Sequence, residues 1–195
     1  MKSLINYINE KLIVNKNYNP YTYAPKSFKE LRKIIKDRYN KLGAGTKQDP
    51  IDFNDIDVSN LDSFYNDKNT YTGIFERTQF KYIDISEWDV SNVTDMNHMF
   101  YMCEELESVG DLSKWNVSNV MSMRGMFSDC NKLKSFGDIS SWDVSKVTNM
   151  AFMFKYCKSF NQDISKWDVS NVTNMSYIFF GCAIKEKYKP KFKYI

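Results

Sequence analysis

A string of nine residues, Trp142-Asp-Val-Ser-Lys-Val-Thr-Asn-Met150, continuing through Met153-Phe154 to Cys157, recurs four times with small changes. The copies begin at Trp88, Trp115, Trp142 and Trp167, spaced 27, 27 and 25 residues apart. Val lies two and five residues after each Trp, Met eight after it (Met96, Met123, Met150, Met175) and Phe twelve after it (Phe100, Phe127, Phe154, Phe179). Cys closes each copy at fifteen (Cys103, Cys130, Cys157, Cys182). A fixed period of this length is the mark of a repeat protein, in which each unit covers its neighbour's apolar side.

Each unit carries two patterns. Trp142 and Val144 alternate as a half-buried strand does. Met150, Met153, Phe154 and Cys157 follow the i, i+3, i+4, i+7 spacing of one helix stripe. The residue before the first Met is Asp95, Ser122, Asn149 or Asn174, all types that accept a bond from the free N–H groups of a helix start. The residues therefore predict short strand, turn, capped helix and return loop, stacked as an α/β solenoid.

Three segments are expected. Residues 1–48 read as a helical N-terminal cap or leader. Within it, 4–14 is a short helix, and Ser27-Phe-Lys-Glu30 is a capping box opening a helix from about Phe28 to Leu42, with Gly43 as its stop. Residues 49–183 form the solenoid, one degenerate repeat at Ile56-Asp-Val-Ser-Asn-Leu61 followed by four full ones. Residues 184–195 place Lys at every odd position from 185 to 193 around Pro190, the pattern of a basic cap strand on an exposed sheet edge.

Composition narrows the function classes. The 195 residues are 43% hydrophobic with net charge +3. No run of 18 apolar residues predicts a membrane span, and the polar start does not resemble a signal-peptide core. Residues 1–48 carry 11 basic and 3 acidic side chains, residues 49–183 carry 11 and 20, and the tail has five lysines and one glutamate. Basic ends around an acidic middle could assemble head to tail, or could simply be solvated surface.

The repeated string, as in Asp163-Ile-Ser-Lys-Trp-Asp-Val-Ser-Asn-Val-Thr-Asn-Met175 with Phe-x-x-Cys after it, resembles the BspA-type leucine-rich-repeat family. These are short bacterial surface-protein repeats, found also in mycoplasmas, gut Bacteroidetes and their phages. The resemblance spans about residues 54–183, and the leader is similar to those of phage and prophage members. It implies a leucine-rich-repeat-like solenoid used in surface attachment or protein–protein contact, without enzymatic activity. Read with the polar start, it points to a virion or the bacterial cytoplasm rather than an exported surface protein.

One Cys per repeat fits a column of small buried groups better than the paired spacing of a zinc site, with disulfides as a further alternative. His98, between Met96 and Met99, reads as a solvated surface imidazole. No phosphate loop or His-Glu-x-x-His string occurs, so neither cofactor nor metal is expected.

The candidate partner-binding face is the row Asp89, Asn116, Asp143 and Asp168 after each Trp, with the non-repeating Glu87, Lys114, Ser141 and Lys166 before it. The Asp row, and a second at Asp84, Asp111, Asp138 and Asp163, has a local reading too. Asp-x-Ser favours an Asx turn. Exposed aromatics at Tyr18, Tyr21, Tyr23 and Tyr101 could anchor a partner. The expected partner is a protein or glycan. The alternative is an intracellular adaptor or nucleic-acid-associated protein using Arg32, Lys33, Lys36, Arg38 and Lys41.

Overall fold

The computed structural model describes residues 21–66, 72–134 and 136–193. The short helix expected over 4–14, and Tyr18, lie outside them. The element order is α1 (Phe28–Leu42), β1 (Ile51–Asp52), β2 (Tyr65–Asn66), β3 (Thr72–Gly73), β4 (Ile83–Asp84) and one 3₁₀ turn at Glu186–Tyr188. β1 and β4 pair in parallel, with Ile51 opposite Ile83, and β2 and β3 pair antiparallel.

Helix α1 forms where the capping box places it. The Ser27 side chain accepts from the Glu30 N–H, and the Glu30 carboxylate accepts from the Lys26 N–H. At the other end Gly43 takes φ 78° and returns its N–H to the Tyr39 carbonyl, a conformation that suits a residue without Cβ. Leu31 and Ile35 are buried, and Tyr39 meets Phe80 edge-on at 5.0 Å.

The α/β solenoid of leucine-rich-repeat type is not formed. The described residues contain one helix and four two-residue strands in two small sheets, and no strand–turn–helix unit. No helical N-terminal cap stands apart either, because Leu31 and Ile35 of α1 belong to one hydrophobic cluster with the Trp, Met and Phe positions of the repeats. The expected C-terminal cap strand is also absent. Lys185 to Lys189 make the 3₁₀ turn instead, and Pro190 is buried rather than outward.

The reason lies in the backbone of the supposed helical stretch. Met96, Met99, Phe100 and Cys103 are all fully buried, as their spacing demands. Yet the N–H groups of Met99, Tyr101 and Cys103 bond the carbonyls three residues back, at Met96, His98 and Phe100. Those of Met96, His98, Phe100 and Met102 leave the segment for Ser122, Arg124, Met126 and Ser128. An α-helix sends every N–H to the residue four back. Moreover His98 and Met102 have φ 55° and 58°, the left-handed region that ends a right-handed helix. Gly125 with Asp129, Phe152 with Tyr156, and Tyr177 with Gly181 repeat this pair at the same offsets. Successive tight turns thus bury the residues a helix stripe would bury.

The strand half is shorter than expected as well. Single parallel bridges join Ser63 to Asp95, Asp95 to Ser122, Ser122 to Asn149, and Asn149 to Asn174. These are the residues read as helix caps. The side chains of Ser63, Asp95, Asn149 and Asn174 take an N–H two residues on instead, whereas the Ser122 hydroxyl donates to the Asn97 side chain, which also accepts the Arg124 N–H.

What holds these turns together is side-chain columns. Phe75, Phe100, Phe127, Phe154 and Phe179 follow one another face to face at 5.3–5.9 Å, and Trp115, Trp142 and Trp167 at 6.3–6.4 Å. Each indole N–H donates to a carbonyl about thirty residues back, for example Trp142 to Leu112 at 3.0 Å. Burying the polar tip therefore costs little, and each ring contributes roughly 1.5–3 kcal/mol of burial.

Candidate binding surface

The two rows of acidic residues are turns. Asp89, Asn116, Asp143 and Asp168 are all exposed, and each side chain accepts the N–H of the Ser two residues on, at 3.0–3.2 Å. Asp84, Asp111, Asp138 and Asp163 do the same with Ser86, Ser113, Ser140 and Ser165. Hydrogen bonds from those serines hold Asp89, Asp111, Asp138, Asp143, Asp163 and Asp168 below the usual carboxylate range. The carboxylates remain anionic and point to solvent.

Glu87, Lys114, Ser141 and Lys166 are exposed, but not on a strand face. Each precedes a Trp whose N–H closes a tight turn, as Trp115 does onto Leu112, so each sits at a turn corner. Lys166 and the Asp138 and Asp163 turns line an open depression of about 470 Å³ together with Lys134, Ser140 and Gln162. Gln162 is held there by its amide donating to the Gly137 carbonyl.

A second exposed feature is aromatic. Phe152 stacks on Tyr177 at 5.5 Å, Tyr177 meets Phe180 edge-on at 5.8 Å, and Phe180 meets Tyr156 at 5.4 Å. Tyr177 is 62% and Phe180 51% exposed, which is unusual for large rings placed side by side. The Arg124 guanidinium lies 5.4 Å from the Phe152 ring, and Lys155 approaches both Phe152 and Tyr156. Flat rings beside fixed cations offer stacking and charge together.

The sequence reading missed these four rings. Their signal was the variable pair at Trp+10 and Trp+14, where Phe152 and Tyr156 replace His98 and Met102 or Gly125 and Asp129. Of the aromatics named instead, Tyr23 is exposed, while Tyr21 and Tyr101 are half-buried.

The reactive groups are withdrawn. Cys103, Cys130 and Cys157 are buried and donate to the Phe75, Phe100 and Phe127 carbonyls at 2.9–3.0 Å. Burial pushes the Cys103 thiol up to about 11 and the Cys130 and Cys157 thiols well above their ordinary value, away from nucleophilic or ligating thiolate. Cys182 is half-buried, and its pKa is raised by the same cause. His98 is not the solvated imidazole expected. It is half-buried between Tyr65 and Tyr101 and covers Gly125, and burial lowers its pKa. Among the described residues no three His, Cys, Asp or Glu side chains gather as a metal site, and no helix is long and apolar enough to cross a membrane.

The basic helix face is partly spent internally. Arg32 donates to the Gly73, Ile74 and Glu76 carbonyls. Arg38 pairs with Asp55 at 2.6 Å and donates to the Asp52 carbonyl. Lys33, Lys36 and Lys41 are left at the surface.

One family model, described as "Mycoplasma protein of unknown function, DUF285", matches residues 68–191. No curated protein and no solved structure matches the chain.

Proposed function

The chain belongs to this DUF285 family, and on that premise we propose that it is a non-enzymatic binding module that recognises a protein or glycan. The finer assignment, to BspA-type repeats of a bacterial surface or phage-virion attachment component, rests on the repeated Trp-Asp-Val-Ser string and does not carry the leucine-rich-repeat fold with it. A single observation supports a binding role above others. Residues that differ from repeat to repeat reach the surface, Glu87, Lys114, Ser141, Lys166, Tyr177 and Phe180 exposed and Phe152 and Tyr156 half-buried beside them, whereas the repeated ones are spent on packing and turns. Among the described residues the thiols of Cys103 and Cys130 are buried and held protonated and the one imidazole is half-buried, which favours recognition over catalysis.

The test is a printed glycan and purified surface-protein panel probed with the labelled chain, beside Phe152→Ala/Tyr177→Ala and Lys114→Glu/Lys166→Glu variants. A ligand whose affinity falls about tenfold or more in either double variant, with melting unchanged, fits the reading. Binding indifferent to both, or a turnover that removal of surface side chains leaves intact, would overturn it. Fractionation of producing cells into particles, envelope and cytosol decides the location.

A further inference from the structure

The segment from Met to Cys in each repeat has a direction: its alternate N–H groups reach for carbonyls of the repeat that follows. Met150, Phe152, Phe154 and Tyr156 donate to Asn174, Ser176, Ile178 and Phe180 at 2.8–3.0 Å. The equivalent donors of the last repeat are Met175, Tyr177, Phe179 and Gly181. None of the four has an acceptor among the described residues. The tail comes close without supplying one. Its Tyr188 carbonyl accepts from the Ile164 N–H, and Lys185 donates to Asn161.

Between that donor row and the tail runs a groove of about 580 Å³. Met175, Ile178 and Phe179 form one apolar wall, and Lys187, Lys191 and Phe192 belong to the other. Lys189 is tied to Glu186 at 2.6 Å, whereas Lys187 and Lys191 make no ion pair among the described residues.

We propose that this groove is a docking site for an extended acidic peptide segment of a partner protein, bound by backbone pairing to the four free N–H groups of residues 175–181. Three observations fix the occupant's chemistry. The donors fall on alternate residues of one edge, as in the full repeats before it, where each meets an alternate carbonyl of the segment that covers it. In every preceding repeat the same donors hold polypeptide carbonyls. Lys191, and Lys187, which also faces Asp163 and the Tyr188 ring, complement carboxylates. This site shares the Tyr177 backbone, but no side chain, with the aromatic rings proposed above, so the lysine variants here and the ring variants there let either fail alone.

The experiment is amide hydrogen exchange by NMR on the full chain, with and without the probe acetyl-(Glu-Val)4-amide. In the free protein the amides of Met175, Tyr177, Phe179 and Gly181 exchange fast, while those of Met150, Phe152, Phe154 and Tyr156 are protected. The peptide slows the first set by at least about tenfold. Lys187→Glu/Lys191→Glu, at surface positions that leave melting unchanged, weakens peptide binding about tenfold, and Lys114→Glu/Lys166→Glu does not. Three results overturn the proposal. They are no added protection at millimolar peptide, equal protection by polyacrylate (charge alone suffices), or protection that rises with protein concentration without peptide (a second copy is the occupant).

Discussion

The two ends of the backbone network are unlike because the network is polar. At the first end the carbonyls of Ile74 and Glu76 occupy the places whose counterparts, such as Met126 and Ser128, accept from the preceding repeat. Here they receive the Arg32 guanidinium, at 2.6 and 3.2 Å, because no repeat precedes them. At the last end the N–H groups of Met175, Tyr177, Phe179 and Gly181 face no acceptor among the described residues. One arginine fork, with five donors in a fixed plane, satisfies several carbonyls at once. No side chain offers an equivalent row of acceptors to four spaced N–H groups. A chain of this bonding pattern is therefore easily closed where it presents oxygen and left open where it presents hydrogen.

The comparison is broken most directly with the large rings. Trp142 lies between Trp115 and Trp167 at 6.4 and 6.3 Å, and its removal by Trp142→Ala should destabilise the chain by about 3–5 kcal/mol. Phe179 has a ring neighbour only on the Phe154 side and is partly exposed, so Phe179→Ala should cost roughly half as much. Urea unfolding monitored by circular dichroism measures both. Equal losses would mean that the last end is packed as tightly as the middle.

Arg32→Ala comes next. It strips the Ile74 and Glu76 carbonyls of their donor in a part-buried setting and leaves the Gly73 carbonyl only the Glu76 N–H, and should cost about 2–3 kcal/mol. Arg32→Lys should recover less than half of that, since one ammonium cannot span the fork. Hydrogen exchange should then rise first around residues 73–77. If it rises instead at 175–181, the two ends are coupled rather than independent.

How much of this was visible beforehand depends on what each residue type encodes. Buried positions were legible, because Trp, Met, Phe and Cys at fixed offsets have to be covered whatever the backbone does. The backbone was not. The spacing i, i+3, i+4, i+7 is shared by a helix and by tight turns that bond three back, and nothing in Phe152 or Tyr156 announces a positive φ. Only Gly125 and Gly181, at the equivalent offsets, hinted at it. Asp-x-Ser was legible as a turn because the chemistry is local. The ring cluster was not, since a helix would place Phe152 and Tyr156 off the buried stripe without bringing them against Tyr177 and Phe180.

Acid sharpens the comparison at one position that differs between the ends. Trp+10 is the half-buried His98 near the first end and the 62% exposed Tyr177 near the last. Burial lowers the His98 pKa from 6.5, with Arg124 adding to the effect. The unfolded chain thus binds the proton more readily. Stability contributed by neutral His98 is complete above pH 6.5 and declines as pH falls through the window between 6.5 and the lowered value. His98→Gln, equally polar and unable to titrate there, should remove this slope from a pH series of melting temperatures. A slope that survives the substitution would place it elsewhere. The serine-bonded carboxylates cannot supply it, because their loss begins only below about pH 3.8.

The smallest effect tests the middle against the last end. Thr94, Thr148 and Thr173 each send their hydroxyl to a carbonyl of the preceding repeat, at Asp62, Met121 and Thr148. The fourth equivalent position is Met121, 53% exposed, whose own N–H already reaches the Thr94 carbonyl. Met121→Thr places a second donor on that oxygen and removes an exposed thioether. It should stabilise by about 0.5–1 kcal/mol, raising the melting temperature by roughly 2–3 °C for a chain of this size. Thr173→Ala should lose a similar amount, because this bond points back toward closed repeats and does not depend on the open N–H row. If Thr173→Ala costs nothing while Met121→Thr still gains, the last repeat is loosened as a whole. Its free donors would then report local opening rather than a formed edge.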